Sequence, residues 1–211
     1  MRYLPLSFIA ATALFSTSTL AQFVVEADTA VLQPQVARDA EGFSTCGIRA
    51  MVMVSAGEAI DMYDFSINVN AGLFAATTKA GKTVQSMAAV RAGKSPSPIA
   101  SAPGPTNFWF AKELKGKPVT MLKTMPSDSE GYLLGIAPLV SAFEILTTLI
   151  HGERIHFAIR YAIEPSDRVV AFSEKLSAQE KTLMDSCILE LIERMKKAES
   201  KKAPQNSKPK K

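Results

Sequence analysis

The sequence is poor in the residues that carry most metal and nucleophilic chemistry: 211 residues include two cysteines, two histidines and one tryptophan. Cys46 and Cys187 stand far apart with no CxxC spacing, so a cysteine metal site is not expected. His151 and His156 occur in the run HGERIH. That spacing is i, i+5 with Gly152 between, whereas a helical zinc pair needs i, i+4 on one face. No metal and no cofactor are therefore expected. No two glycines are separated by a single residue, which excludes a dinucleotide fingerprint. Gly42 and Gly47 have phosphate-loop spacing, but Ile48 and Arg49 stand where Lys and Ser or Thr are required. GxSxG is absent, and no serine can be matched to a base. The carboxylate pairs Asp61 with Asp64 and Asp128 with Glu130 read as solubilising groups in turn-like surroundings rather than as acid–base pairs. Enzyme activity is left open by these absences, with the balance against it.

Long apolar runs are also scarce. Residues 132–150 carry one charge, Glu144, but Gly135, Pro138, Ser141, Thr147 and Thr148 make the segment a poor membrane span. It reads better as a strand over 132–136 and a helix from Pro138 to Ile150, closed by Gly152. Leu139, Val140, Phe143, Leu146 and Ile150 would share its apolar face.

What is present begins with a leader. Arg2 precedes a mostly apolar stretch over 4–15, and residues 16–21 (STSTLA) are small and largely polar. This is the pattern of a cleavable secretory signal peptide, residues 1–21, with an apolar stretch shorter than the roughly 20 residues a bilayer span needs. The working protein would begin near Gln22 and reside in the periplasm or be secreted, with no transmembrane span after cleavage. An oxidising compartment favours pairing of Cys46 with Cys187, the single intramolecular connectivity available. The alternative is two buried free thiols. Residues 22–195 read as one domain and residues 196–211 as a disordered Lys-rich tail. Of 24 basic residues, Arg2 lies in the leader and seven lysines lie in the tail, leaving 16 against 19 acidic residues in 22–195. The globular part is mildly acidic, and specific nucleic-acid binding is not expected.

Along that domain, residues 23–25 suggest a short strand or arm leading into a loop up to residue 45. Residues 46–54 read as a buried strand ended by Gly57. Residues 65–71 alternate with period two, and strands over 73–79 and 83–91 would follow as a meander. A further strand is expected over 119–125. Residues 154–164 place Ile155, Phe157, Ile159, Tyr161 and Ile163 on one face, and after the turn at 165–167 residues 168–172 pair back as a hairpin. Ser177 and Glu180 form a capping box for a last helix. Its stripe is Leu183, Met184, Cys187, Ile188, Leu191, Ile192 and Met195. The expected fold class is α+β: an antiparallel sheet with two amphipathic helices, near 138–150 and 178–196, packed on one face.

Two features bear on ligands. The loop over 94–106 holds four of the twelve prolines and precedes Phe108-Trp109-Phe110. Three consecutive aromatics in an extended segment must point to both faces, which makes Trp109 a candidate ligand contact. On the polar face of the 154–164 strand, Arg154, His156 and Arg160 form either a small anion-binding stripe or a solvated outer sheet face.

Phe172, Leu176-Ser177, Met184 and Cys187, in and before the last helix, resemble the ending of invasion-associated locus B-like exported bacterial proteins. The likeness covers the last quarter of the chain. It implies envelope residence and interaction, with no catalytic residues to carry over. The reading is an exported, non-enzymatic envelope-associated binding module. Its Lys-rich tail would meet an envelope protein or an anionic envelope component. The alternative is a small hydrolase or transferase with its site near the 94–106 loop and the His156 strand face.

Overall fold

Alternating apolar and polar positions over long stretches produce strands. The computed structural model describes residues 23–56, 59–70, 87–94, 104–114, 116–164 and 166–200. The leader, the strand expected over 73–79, Gly57, most of the proline-rich loop and the tail beyond residue 200 lie outside the described residues.

The elements run β1 (Phe23–Glu26), β2 (Thr29–Asp39), β3 (Gly42–Ala56), β4 (Ala59–Asn70), β5 (Met87–Lys94), β6 (Pro105–Ala111), β7 (Val119–Thr120), β8 (Lys123–Pro126), β9 (Tyr132–Pro138), α1 (Leu139–His151), β10 (Ile155–Tyr161), β11 (Arg168–Phe172) and α2 (Ala178–Ser200). The class is α+β, but with two sheets where one antiparallel sheet was expected. One has the order β1-β11-β10-β6-β7 and the other β2-β3-β4-β5-β9-β8. β1 pairs with β11 in parallel, so the first sheet is mixed. The segment expected as one strand over 119–125 is broken at Met121-Leu122, and its halves β7 and β8 join different sheets.

The six-stranded sheet follows directly from parity. Cys46, Ile48, Ala50, Val52 and Val54 of β3 are buried, and they register with Val69, Ile67, Phe65, Tyr63 and Asp61 of β4. Arg49, Met51 and Met53 take the opposite face because side chains alternate along a strand. β2 occupies the stretch expected as a loop. It is an edge strand in which only Leu32 is fully buried, and an edge tolerates Pro34 because no second partner needs its missing N–H. Asp61 and Asp64 lie within β4, not in a turn.

Helix α1 starts after Pro138 and is closed by Gly152 in the left-handed conformation (φ 67°). Its buried residues are Ala142, Ile145, Leu146, Thr148, Leu149 and Ile150, while Val140 is 71% exposed. Of the face expected, Leu146 and Ile150 are buried and Leu139 and Phe143 pack against the core, so Val140 alone departs from it, while Ala142, Ile145 and Leu149 widen the buried face. In α2 the capping box forms as anticipated: the Glu180 N–H donates to Ser177 Oγ (3.3 Å) and the Ser177 N–H to Glu180 Oε2 (2.9 Å). Met184, Cys187 and Leu191 are buried, whereas Leu183 is 39% exposed. The helix continues to Ser200, into the stretch expected to be disordered, where Lys, Ala and Glu are good helix formers.

Cys46 and Cys187 form a disulfide with Cα atoms 5.9 Å apart. It joins the core face of β3 to α2. A second tie lies beside it. Arg194 donates to the Phe43 carbonyl (2.6 Å) and to both Asp39 carboxylate oxygens (3.0 Å each), and the Phe43 N–H donates to Glu190 Oε1 (2.8 Å). The Arg194 hydrogen bond holds the Asp39 carboxyl below its ordinary range, so this tie is present near neutral pH and weakens as pH falls through that lowered value.

Gly42 sits in the hairpin turn with φ 116°, and a Cβ there would fall 1.7 Å from Glu190 Oε1. Gly42→Ala is therefore expected to destabilise by about 2 kcal/mol through a strained φ and a displaced Glu190, read as a lower urea midpoint at unchanged slope. A change below about 0.5 kcal/mol would show that the turn relaxes freely.

Candidate functional site

At one end of the molecule the β3–β4 hairpin approaches the β10–β11 turn. Between them is a cleft of about 530 Å³. Val25, Val54, Val169 and Val170 give it apolar walls, and Asp61, Tyr63, Glu164, Asp167 and Arg168 give it a polar rim. Volumes of this order suit a small ligand.

Arg168 organises the rim. Its Nε donates to Glu164 Oε2 (2.7 Å) and its Nη2 meets Glu164 Oε1 (2.6 Å). Its Nη1 reaches across to Asp61 Oδ2 (3.0 Å) and the Tyr63 hydroxyl (3.5 Å) on the other sheet. The planar guanidinium fork is suited to two carboxylates at once, and here one lies in the β10–β11 turn and the other on β4 of the opposite sheet. The bidentate Glu164 contact raises the Arg168 pKa further above its ordinary value. Behind the rim, burial pushes the Tyr63 and Tyr161 hydroxyls above their ordinary pKa; at Tyr161 the neighbouring Tyr63 adds to it.

Tyr161 is 5% exposed, and among the described residues its hydroxyl has no hydrogen-bond partner. An unsatisfied buried hydroxyl costs about 1–3 kcal/mol. Tyr161→Phe should therefore raise stability by about 1 kcal/mol in denaturant melts. The same pair predicts alkaline lability. With folded pKa values raised by burial, titration of these hydroxyls costs no stability below pH 10, the ordinary tyrosine value, and stability falls as pH rises beyond it because the unfolded chain ionises first. Tyr161→Phe should flatten that loss, and a variant less stable than the parent at neutral pH would mean that the hydroxyl has a partner.

The residues singled out in the sequence are distributed over one neighbouring face. Trp109 of β6 stands opposite Ala158 of β10. Trp109 Nε1 donates to Asp167 Oδ2 (2.8 Å), and Arg160 Nε donates to Asp167 Oδ1 (2.6 Å). Asp167 thus brings Trp109 and Arg160 together at the cleft wall. Arg154 pairs instead with Glu26, and His156 is 7% exposed with Nδ1 3.2 Å from the Lys112 carbonyl. Ala158 and Ala171 beside His156 are also buried, so much of this face is not solvated. Ile163, placed on the inner face by its parity, is 75% exposed because β10 ends at Tyr161.

A smaller recess of about 150 Å³ opens on the outer face of the six-stranded sheet, lined by Gln35, Arg49, Asp64, Ser66 and Tyr132. Arg49 grips Asp64 through Nε (2.9 Å) and Nη2 (2.6 Å), and the Tyr132 hydroxyl donates to Asp64 Oδ2 (2.7 Å). Among the described residues, no group of three or more His, Cys, Asp and Glu is placed to hold a metal, and no helix is long and apolar enough to cross a membrane.

Fold and cleft together define a disulfide-linked α+β protein with two sheets and a ligand-sized opening between their ends. No protein-family model, curated protein or solved structure matches the chain.

Proposed function

We propose that this chain is an exported, envelope-associated binding module without catalytic activity of its own, which acts in the periplasm or outside the cell. The observation that carries the reading is the Cys46–Cys187 disulfide, fully buried at both sulfur-bearing residues, which suits an oxidising compartment. The signal-peptide pattern of residues 1–21 and the resemblance to invasion-associated locus B-like proteins point the same way. The two amphipathic helices, near 138–150 and 178–196, cover one face of the six-stranded sheet in this reading, supported by burial of Leu146, Leu149, Met184 and Leu191 in one core. That leaves the inter-sheet cleft for a small ligand and the Lys-rich tail for an anionic envelope surface.

Expression in a bacterium with a periplasm tests the export half. The mature mass should begin at Gln22 and be two hydrogens lighter than the reduced chain, and a product retained in the cytoplasm with its leader would overturn it. Vesicles containing phosphatidylglycerol test the tail. Binding should be salt-sensitive and should disappear when residues 198–211 are removed, and equal binding by the truncated chain would remove the tail from the reading.

A small hydrolase or transferase is the second reading. It is favoured by the meeting of the proline-rich segment with β10, where Pro105 registers with Tyr161 and Thr106 Oγ1 donates to the Arg160 carbonyl (3.2 Å). Turnover of any ester or glycoside substrate that is lost in Arg160→Ala would favour it over the binding module.

A further inference from the structure

A group of soft donor atoms lies away from the cleft, on the outer face of the six-stranded sheet. Val52, Val54 and Tyr63 are buried at 1%, 5% and 3% exposure. Met51, Met53 and Met62 alternate with them and so project from the opposite face. Met53 and Met62 stand directly opposite one another on the antiparallel strands β3 and β4, and Met51 lies two residues along β3 on the same face. Directly opposed side chains have Cβ atoms about 4.5–5.5 Å apart and diagonal neighbours about 7–8 Å. A methionine side chain has three rotatable bonds, enough to turn three sulfurs toward one point above the sheet. Solvent reaches them: Met62 is 37% exposed, and Met51 and Met53 are partly so.

We propose that Met51, Met53 and Met62 form a thioether site for a soft monovalent cation, Cu(I). Neutral, polarisable sulfur donors select Cu(I) and offer little to hard cations such as Ca²⁺ and Mg²⁺, which require oxygen ligands. Asp64, which registers with Met51 on that face, is already held by Arg49 and Tyr132. Val31 (46% exposed) and Ile60 (67% exposed) border the methionines and add apolar surface, which favours a weakly hydrated ion over a strongly hydrated one. The choice of residue is also informative. Exposed strand positions favour β-branched and aromatic side chains, and three adjoining methionines depart from that preference.

The test is a titration of the disulfide-intact chain, labelled at its methionine methyl groups, with Cu(I) under anaerobic conditions, followed by NMR. The methyl signals of Met51, Met53 and Met62 should move together and saturate at one equivalent. Ag(I) should produce the same pattern and Zn²⁺ none. The Met53→Leu/Met62→Leu double variant should lose at least tenfold in affinity while its circular dichroism is unchanged. Movement of other methionines only, no movement, or undiminished affinity in the leucine variant would overturn the site. Should the variant misfold, the methyl pattern of the parent chain decides the question alone.

Discussion

Replacing Cys46 and Cys187 together by alanine is expected to lower folding stability by about 4 kcal/mol. The bridge closes a loop with a sequence separation of 141 residues. Loop-closure entropy for that length amounts to about 5 kcal/mol, and removals from natural domains generally cost about 2–5 kcal/mol. Both residues are 0% exposed, so alanine also forfeits sulfur packing at the contact between β3 and α2. The neighbouring Arg194 and Glu190 contacts remain, but they are partly exposed and cannot restrict the unfolded chain. For a domain of this size the thermal midpoint should fall by roughly 10 °C. The urea slope distinguishes mechanisms: release of a cross-linked unfolded state exposes more surface and steepens it, whereas loss of native packing alone leaves it unchanged. The buried sulfurs further predict that the native bond resists mild reductant until denaturant is added. A stability loss below about 1 kcal/mol would remove the bridge as the main staple of the fold.

The bridge was legible in the sequence because two cysteines allow one intramolecular pairing and Cys187 falls on the apolar stripe of a capped helix. The β10–β11 hairpin was equally legible, since its period-two alternation and turn residues are local signals. β2 was not. Of its eleven residues only Leu32 is fully buried, so an edge strand with Pro34 at its middle leaves no alternating trace. The split into two sheets was hidden for a different reason: whether β7 and β8 belong to one sheet depends on partners far along the chain. The cleft rim is the same kind of case. Arg168 and Asp61 meet across 107 residues, and no local pattern announces such a pair. One clue existed. Asp61 has the parity of Tyr63, Phe65 and Ile67, and a carboxylate in core register needs a cation beside it. Arg49, within an otherwise apolar strand, carried a similar clue to Asp64. Trp109 and Arg160 stood out separately, one in the aromatic run and one in the basic strand face, and their common partner, Asp167, read only as a turn residue.

Phe65→Ala is expected to cost about 4 kcal/mol, close to the loss of the disulfide. Phe65 belongs to the six-stranded sheet, and its ring stacks on Phe157 of the other sheet at 4.6 Å between centroids, with Phe110 and Phe172 at 5.4 and 5.6 Å. It is 1% exposed, so truncation leaves a cavity where the two sheets meet, and such changes cost about 3–5 kcal/mol. Each lost ring pair adds about 0.5–1.5 kcal/mol beyond buried area, partly offset if neighbouring rings close in. Phe65→Leu keeps most of the volume and should cost about half as much; equal losses for the two variants would mean that ring contacts, not the cavity, dominate. Phe65 registers with Ala50, four residues from Cys46 along β3, which puts the two sites roughly 13 Å apart. Sites at that distance with no shared partner add nearly independently. Cys46→Ala/Phe65→Ala/Cys187→Ala should then lose about 8 kcal/mol, within the about 5–15 kcal/mol that holds a natural domain together. A triple-variant loss well below the sum of the two separate losses, measured in the same denaturant melts, would show that the two sites are coupled.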